Sequence, residues 1–157
     1  MANHHHVAVS WLETLIEGMT GSEQALPDED GDYFLQNQQG AFYARIEGSE
    51  HPILRLFAVV VADLECSPEL LAELNTMNTR LVFPKVFWWE GQVRMETKAI
   101  AMDTTHHEFS MMCHDVANAA DHFGKQILST FGGTPVFQQT HEEEPEDSTP
   151  PHRPGYI

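Results

Sequence analysis

Apolar and polar positions alternate along this chain with two periods, and the change of period marks its elements. From Val7 to Met19, Ala8, Leu12, Leu15, Ile16 and Met19 share one face at helical spacing, with Glu13 and Glu17 opposite. A helix is predicted there, ended by Gly18 and Gly21. Ala25 to Asp32 is a turn-rich acidic loop. Its glycine is misplaced for a calcium loop after Asp28-x-Asp30, and no Glu follows at the required distance, so it reads as a solvated turn.

Three strands are predicted next. Tyr33–Asn37 and Ala41–Glu47 flank Gln38-Gln39-Gly40, a hairpin connection. In the second strand Phe42, Ala44 and Ile46 alternate with Tyr43, Arg45 and Glu47, one buried face and one wetter face. The third, Ile53–Ala62, is apolar on both faces. Leu54, Leu56, Ala58 and Val60 point one way, and Ile53, Phe57, Val59 and Val61 the other, with Arg55 alone polar. It should be central, with part of its second face covered.

Ser67-Pro68-Glu69 opens a second helix: a good N-cap, a proline at the first helical position and an acid in the first turn. Leu70, Leu74, Met77 and Leu81 form its stripe, with Asn75 and Asn78 beside it. A second hairpin is predicted through Val82–Trp89, a Glu90-Gly91 turn and Gln92–Met102. In its second strand Val93, Met95, Thr97 and Ala99 alternate with Arg94, Glu96 and Lys98, a half-exposed pattern. Thr105 with Glu108 makes a capping box for a last helix. Its stripe is Phe109, Cys113, Val116, Ala120, Phe123, Ile127 and Phe131. The order α-βββ-α-ββ-α, five antiparallel strands with helices packed on them, is an α+β layer fold.

Phe131-Gly132-Gly133 closes the domain, which spans residues 7–133. Beyond it, residues 134–157 hold five prolines, five acids and one Arg, including Glu142-Glu143-Glu144-Pro145-Glu146-Asp147. Such a segment cannot bury enough to offset its ordering entropy, so it is expected to be a disordered solvating tail rather than a binding arm. Residues 1–6 are expected to be a flexible start. His4-His5-His6, tag remnant or native, bind metal poorly without a fourth ligand.

Composition then excludes function classes. The 157 residues carry a net charge of −16, and −12 remains in residues 1–133 after the tail is set aside. Bulk neutralisation of phosphates is excluded, so nucleic acid is not an expected partner. No apolar run is long enough for a membrane span, and no signal peptide is expected. Cys66 and Cys113 are too few for a disulfide framework and lack metal spacing, which fits a reducing cytoplasm. His106, His107, Glu108, Cys113, His114 and His122 crowd the last helix, but Asn118 separates His114 from His122 on their shared face, Cys113 points to the core stripe, and no metal or other cofactor is expected. No nucleophile elbow, P-loop or dinucleotide fingerprint is present, so no enzyme is expected.

The aromatic residues point to binding. Phe83, Phe87, Trp88 and Trp89 crowd one predicted strand, near Phe57 and Val59 of the central one. Adjacent Trp88 and Trp89 must face opposite sides of the sheet, so one reaches the outer face, where it serves a dimer contact or a peptide, or lies beneath a covering helix or loop. The candidate protein-binding set is Arg55, Phe57, Val59, Phe87 and Trp89. A one-residue slip would put Trp88 in place of Trp89.

The stretch Leu74-Asn75-x-x-Asn78-x-x-Leu81-x-Phe83-x-Lys85-x-Phe87, then Glu90-Gly91-x-Val93, carries a family resemblance. So do Ala119-Ala120-Asp121 and the closing Phe131-Gly132-Gly133. With the preceding three-strand unit, residues 7–133 resemble the YbjN family, whose fold is that of the type III secretion chaperones. The resemblance implies a helix–sheet sandwich, a homodimer, no catalytic residues, and capture of an extended segment of a client protein. Two features depart from the pattern: Pro84 in the predicted fourth strand, and the acidic Pro-rich tail. The expected function is therefore a non-enzymatic, chaperone-like binding module, with the acidic surface favouring basic clients. The alternative is a regulatory domain of the YbjN type that senses a small molecule or stress.

Overall fold

The computed structural model describes residues 4–136. Helix α1 (His4–Thr20) leads to strands β1 (Tyr33–Gln36), β2 (Ala41–Glu47) and β3 (Ile53–Ala62). Helix α2 (Pro68–Asn78), strands β4 (Lys85–Trp89) and β5 (Gln92–Ile100), helix α3 (His106–Phe131) and strand β6 (Thr134–Pro135) follow. The main sheet has the order β1-β2-β3-β5-β4, all antiparallel, with β6 pairing the end of β3. This is the α+β layer fold expected, with one strand more than five.

Local chemistry explains the elements. Ser67 accepts a hydrogen bond from the Leu70 N–H ahead of Pro68, capping α2. Thr105 and Glu108 cap α3 reciprocally. Glu90 and Gly91, both at positive φ, form the tight turn whose twist suits a two-residue hairpin. The three helices share one face of the sheet. One core cluster lies between α1, α3 and β1–β3, and a second between α2, α3, β4, β5 and the end of β3.

Several boundaries differ from the expected ones. Helix α1 begins at His4, not Val7, and the His5 ring donates to the Gly48 carbonyl at 2.9 Å. Helix α2 stops at Asn78, and Leu81 packs on the second cluster from the loop beyond. Strand β4 begins at Lys85 rather than Val82, because Pro84 has no N–H for a ladder; Val82 and Phe83 before it are exposed. Strand β5 ends at Ile100, before Met102 at positive φ.

Thr134 and Pro135, just past the boundary expected at Gly133, pair with Ala62 and Val61. The tail reading otherwise falls on residues 137–157, outside the described ones. A register shift in β3 between Val59 and Val61 turns Val61 from the outer face into the core, where it is fully buried. Gly133 explains the tight approach of β6. It sits at φ +89, and a Cβ there would come within 2.5 Å of Val61 Cγ1.

Candidate peptide-binding face

The face of the sheet opposite the helices is covered by no element among the described residues. The pairing register places Val59 beside Arg94, which pairs with Phe87, and Phe57 beside Glu96, which pairs with Lys85. Trp89 pairs with Gln92 at the end of the same face. All five candidate residues, Arg55, Phe57, Val59, Phe87 and Trp89, therefore share the outer face. The Trp88/Trp89 alternative also resolves. Trp88 pairs with buried Val93, packs on the second core and donates its indole N–H to the Leu64 carbonyl at 2.8 Å. Trp89 stands outward and is 53 % exposed.

Among the described residues nothing folds over β3 on this side, and the cover its apolar second face was expected to need comes there from neighbouring side chains. Tyr43 stacks on Phe57 with ring centroids 5.4 Å apart, and the Arg55 guanidinium lies 4.5 Å over the same ring. Phe34 meets Tyr43 edge-on at 5.5 Å. These contacts leave Phe57, Val59 and Phe87 half-buried.

The electrostatics of this face differ from the rest of the molecule. Arg45, Arg55, Lys85, Arg94 and Lys98 all lie on it, five of the eight Lys and Arg residues in the chain. Glu96 is the hub, and it is buried although β5 reads as half-exposed in sequence. Its carboxylate takes Arg55 at 2.7 Å and Lys85 at 2.9 Å. Glu47 joins through Arg55 at 3.1 Å and Lys98 at 3.0 Å. Arg45 pairs with Asp32 from the β1 approach. Burial alone would raise both glutamate carboxyls. The hydrogen bond from Lys85 and the charge of Arg55 outweigh it and hold Glu96 below its usual range. Lys98 and Arg55 do the same for Glu47. Arg94 donates to the neutral Gln92 side-chain carbonyl oxygen at 2.9 Å and has no acid partner among the described residues.

The shielding roles of Glu96, Glu47 and Tyr43 on this face were missed. Alternation placed them on it, but which outward residues shield one another depends on strand neighbours absent from local sequence. Asn78, expected beside the core stripe of the second helix and part of the family stretch, has a structural role. Its amide donates to the Val86 carbonyl at 2.8 Å and accepts from the Val86 N–H at 2.9 Å, pairing the free edge of β4.

The histidines of α3 are surface groups: the His114 ring meets the Asn118 amide one turn on, and His122 lies edge-on to Phe123. Among the described residues no three His, Cys, Asp or Glu side chains gather as a metal site requires, and no helix is long and apolar enough to cross a membrane.

The family model described as T3SS (YopN, CesT) and YbjN peptide-binding chaperone 1 matches residues 6–139. The chain belongs to this family. Its fold is shared by ExsC in complex with ExsE, at 20 % identity and a TM-score of 0.58, over 78 % of this chain and 95 % of that one. The HopA1–SchA chaperone–effector complex matches at 9 % identity and 0.59, over 76 % and 97 %. The Yersinia pestis type III secretion chaperone SycH, in complex with a fragment of YscM2, matches at 13 % and 0.54, over 72 % and 96 %. At such identities the likeness is one of fold. No curated protein sequence matches significantly.

Proposed function

We propose that this member of the peptide-binding chaperone family captures an extended apolar segment of a protein partner on the outer face of its sheet. It does so without catalysis, as a homodimer, in the cytoplasm. The observation that carries the reading is the uncovered row of Phe57, Val59, Phe87 and Trp89, flanked by Arg55. Half-buried aromatics stiffened by stacking lose little entropy on binding, and Trp and Arg are the residue types that dominate binding energy. Three solved relatives of the same fold hold, by their descriptions, a partner protein or a fragment of one. The cations on this face select against a basic segment there and favour apolar side chains flanked by acids.

The test is a parallel pull-down from the native host with the wild-type chain and Trp89→Ser, read by mass spectrometry. A stoichiometric partner held by the wild type and lost by the variant, with both circular dichroism spectra alike, is the expected result. A partner held equally by both refutes the assignment of this face.

A further inference from the structure

One cation on the outer face lacks a counter-charge. Four of the five cations there, Arg45, Arg55, Lys85 and Lys98, meet Asp32, Glu47 or Glu96. Arg94 is the exception: its Nε donates to the Gln92 side chain, and no acid reaches it among the described residues. It stands half-buried between Val59 on β3 and Phe87 on β4, within the apolar row. The face thus carries an excess of cations, although residues 1–133 sum to −12.

The chain itself holds a segment of the matching charge. Glu142-Glu143-Glu144-Pro145-Glu146-Asp147 has five acids and no base. Strand β6 sets its point of departure. Pairing of Pro135 with Val61 brings the chain alongside β3, and Val136, the last described residue, lines a cleft together with Val59 and residues 39–41. Val59 is itself an outer-face residue, beside Arg94.

Reach and charge both favour this face. Glu142 lies six positions past Val136, about 20 Å of extended chain. From β3 across β5 to β4 is two strand spacings, about 10 Å. The acids can therefore reach Arg94 and Phe87 beyond it. The groove beside β5 and α3 offers no such match, since Asp103, Glu108 and Asp115 line it against Lys98 alone.

We infer that residues 142–147 dock on the outer face of their own chain, with carboxylates at Arg94 and the backbone laid over Val59 and Phe87. The tail and a client segment then compete for one surface. A segment too polar to build a core of its own can still order where its charges are met. Tethering makes even a weak contact effective. A short tether holds the acids at millimolar effective concentration, so a contact of about 1 mM covers the face roughly half the time. The apparent affinity for a client falls by the fraction of chains left open. The inference rests on the reading of this face as the capture surface and names what governs access to it.

The test uses the full isotope-labelled chain with a nitroxide at Ser148→Cys in a Cys66→Ser background, Cys113 being buried. The nitroxide should broaden the amides of Phe87, Trp89 and Arg94 well beyond those of α1. Neutralising the five acids (E142Q, E143Q, E144Q, E146Q, D147N) should abolish that selectivity, and Arg94→Gln should at least halve it, with unchanged circular dichroism. Even broadening over the whole surface, or selective broadening that survives neutralisation, overturns the inference. In a mixture of nitroxide-bearing and isotope-labelled chains, equal broadening seats the tail on a second copy and also overturns it. An uncharged ten-residue peptide of alternating valine and serine, free of general charge repulsion, should bind the neutralised variant about twofold or more tighter than the wild type. Equal affinity in the two, lowered in both by Trp89→Ser, overturns the inference yet leaves the capture surface standing. Selective broadening with peptide binding indifferent to Trp89→Ser upholds the docked tail and refutes the capture surface.

Discussion

Replacing Glu96 should destabilise the domain more than a surface ion pair would suggest. The carboxylate is only 4 % exposed and holds Arg55 and Lys85 at 2.7 and 2.9 Å. In Glu96→Gln both cations lose their charged acceptor; Lys85, largely in water, loses roughly 0–1 kcal/mol. Arg55 is more enclosed but keeps Glu47, so the lost charge-assisted hydrogen bond is worth about 1.5–3 kcal/mol. The sum of about 1.5–4 kcal/mol should lower the melting temperature by roughly 5–12 °C, at about 3 °C per kcal/mol for a chain of this size.

The pH dependence follows from the sign of the shift. The folded carboxyl titrates below its ordinary value, so its contribution is complete above the unfolded value of about 4.3 and fades as pH falls through the folded one. Urea unfolding of wild type and Glu96→Gln at pH 7 and below pH 4 measures this directly. The gap should be full at pH 7 and shrink in acid. A gap below about 0.5 kcal/mol at pH 7, or one that grows in acid, refutes Glu96 as the electrostatic hub.

Two further outcomes are expected. Asn78→Ala strips two hydrogen bonds from the edge of β4 and should cost about 1–2 kcal/mol, with faster amide exchange at Val86; an unchanged Val86 amide would show that the edge holds without it. Burial pushes the Cys113 thiol up to about 12 while Cys66 is exposed, so iodoacetamide at pH 8 should label one thiol in the native protein and two in denaturant. Labelling of both in the native state would place Cys113 outside the core.

Much of this protein was legible in its sequence, for a local reason in each case. Ser67-Pro68-Glu69 and Thr105 with Glu108 marked helix starts because a cap is satisfied within four residues. The alternation in β2, β3 and β5 put Arg55, Phe57 and Val59 on one face because side chains of a strand alternate whatever it pairs with. The family stretch around Leu74–Val93 led to the right fold, whose family match spans residues 6–139.

What the tertiary structure alone decided depends on neighbours far along the chain. Trp88 became core and Trp89 surface only once β4 took its register against β5, since a slip of one residue exchanges the two. Val61 turned inward because β3 bulges where β6 joins it, and two residues past an expected boundary became a strand because Gly133 lets the chain close against Val61. Glu96 reads in sequence as one more solvated acid on a half-exposed strand. It became a buried hub because β3 and β4 bring Arg55 and Lys85 to either side of it. The sequence states the chain's total charge; its separation into a cationic sheet face and an acid-rimmed groove arises only when the strands are laid side by side.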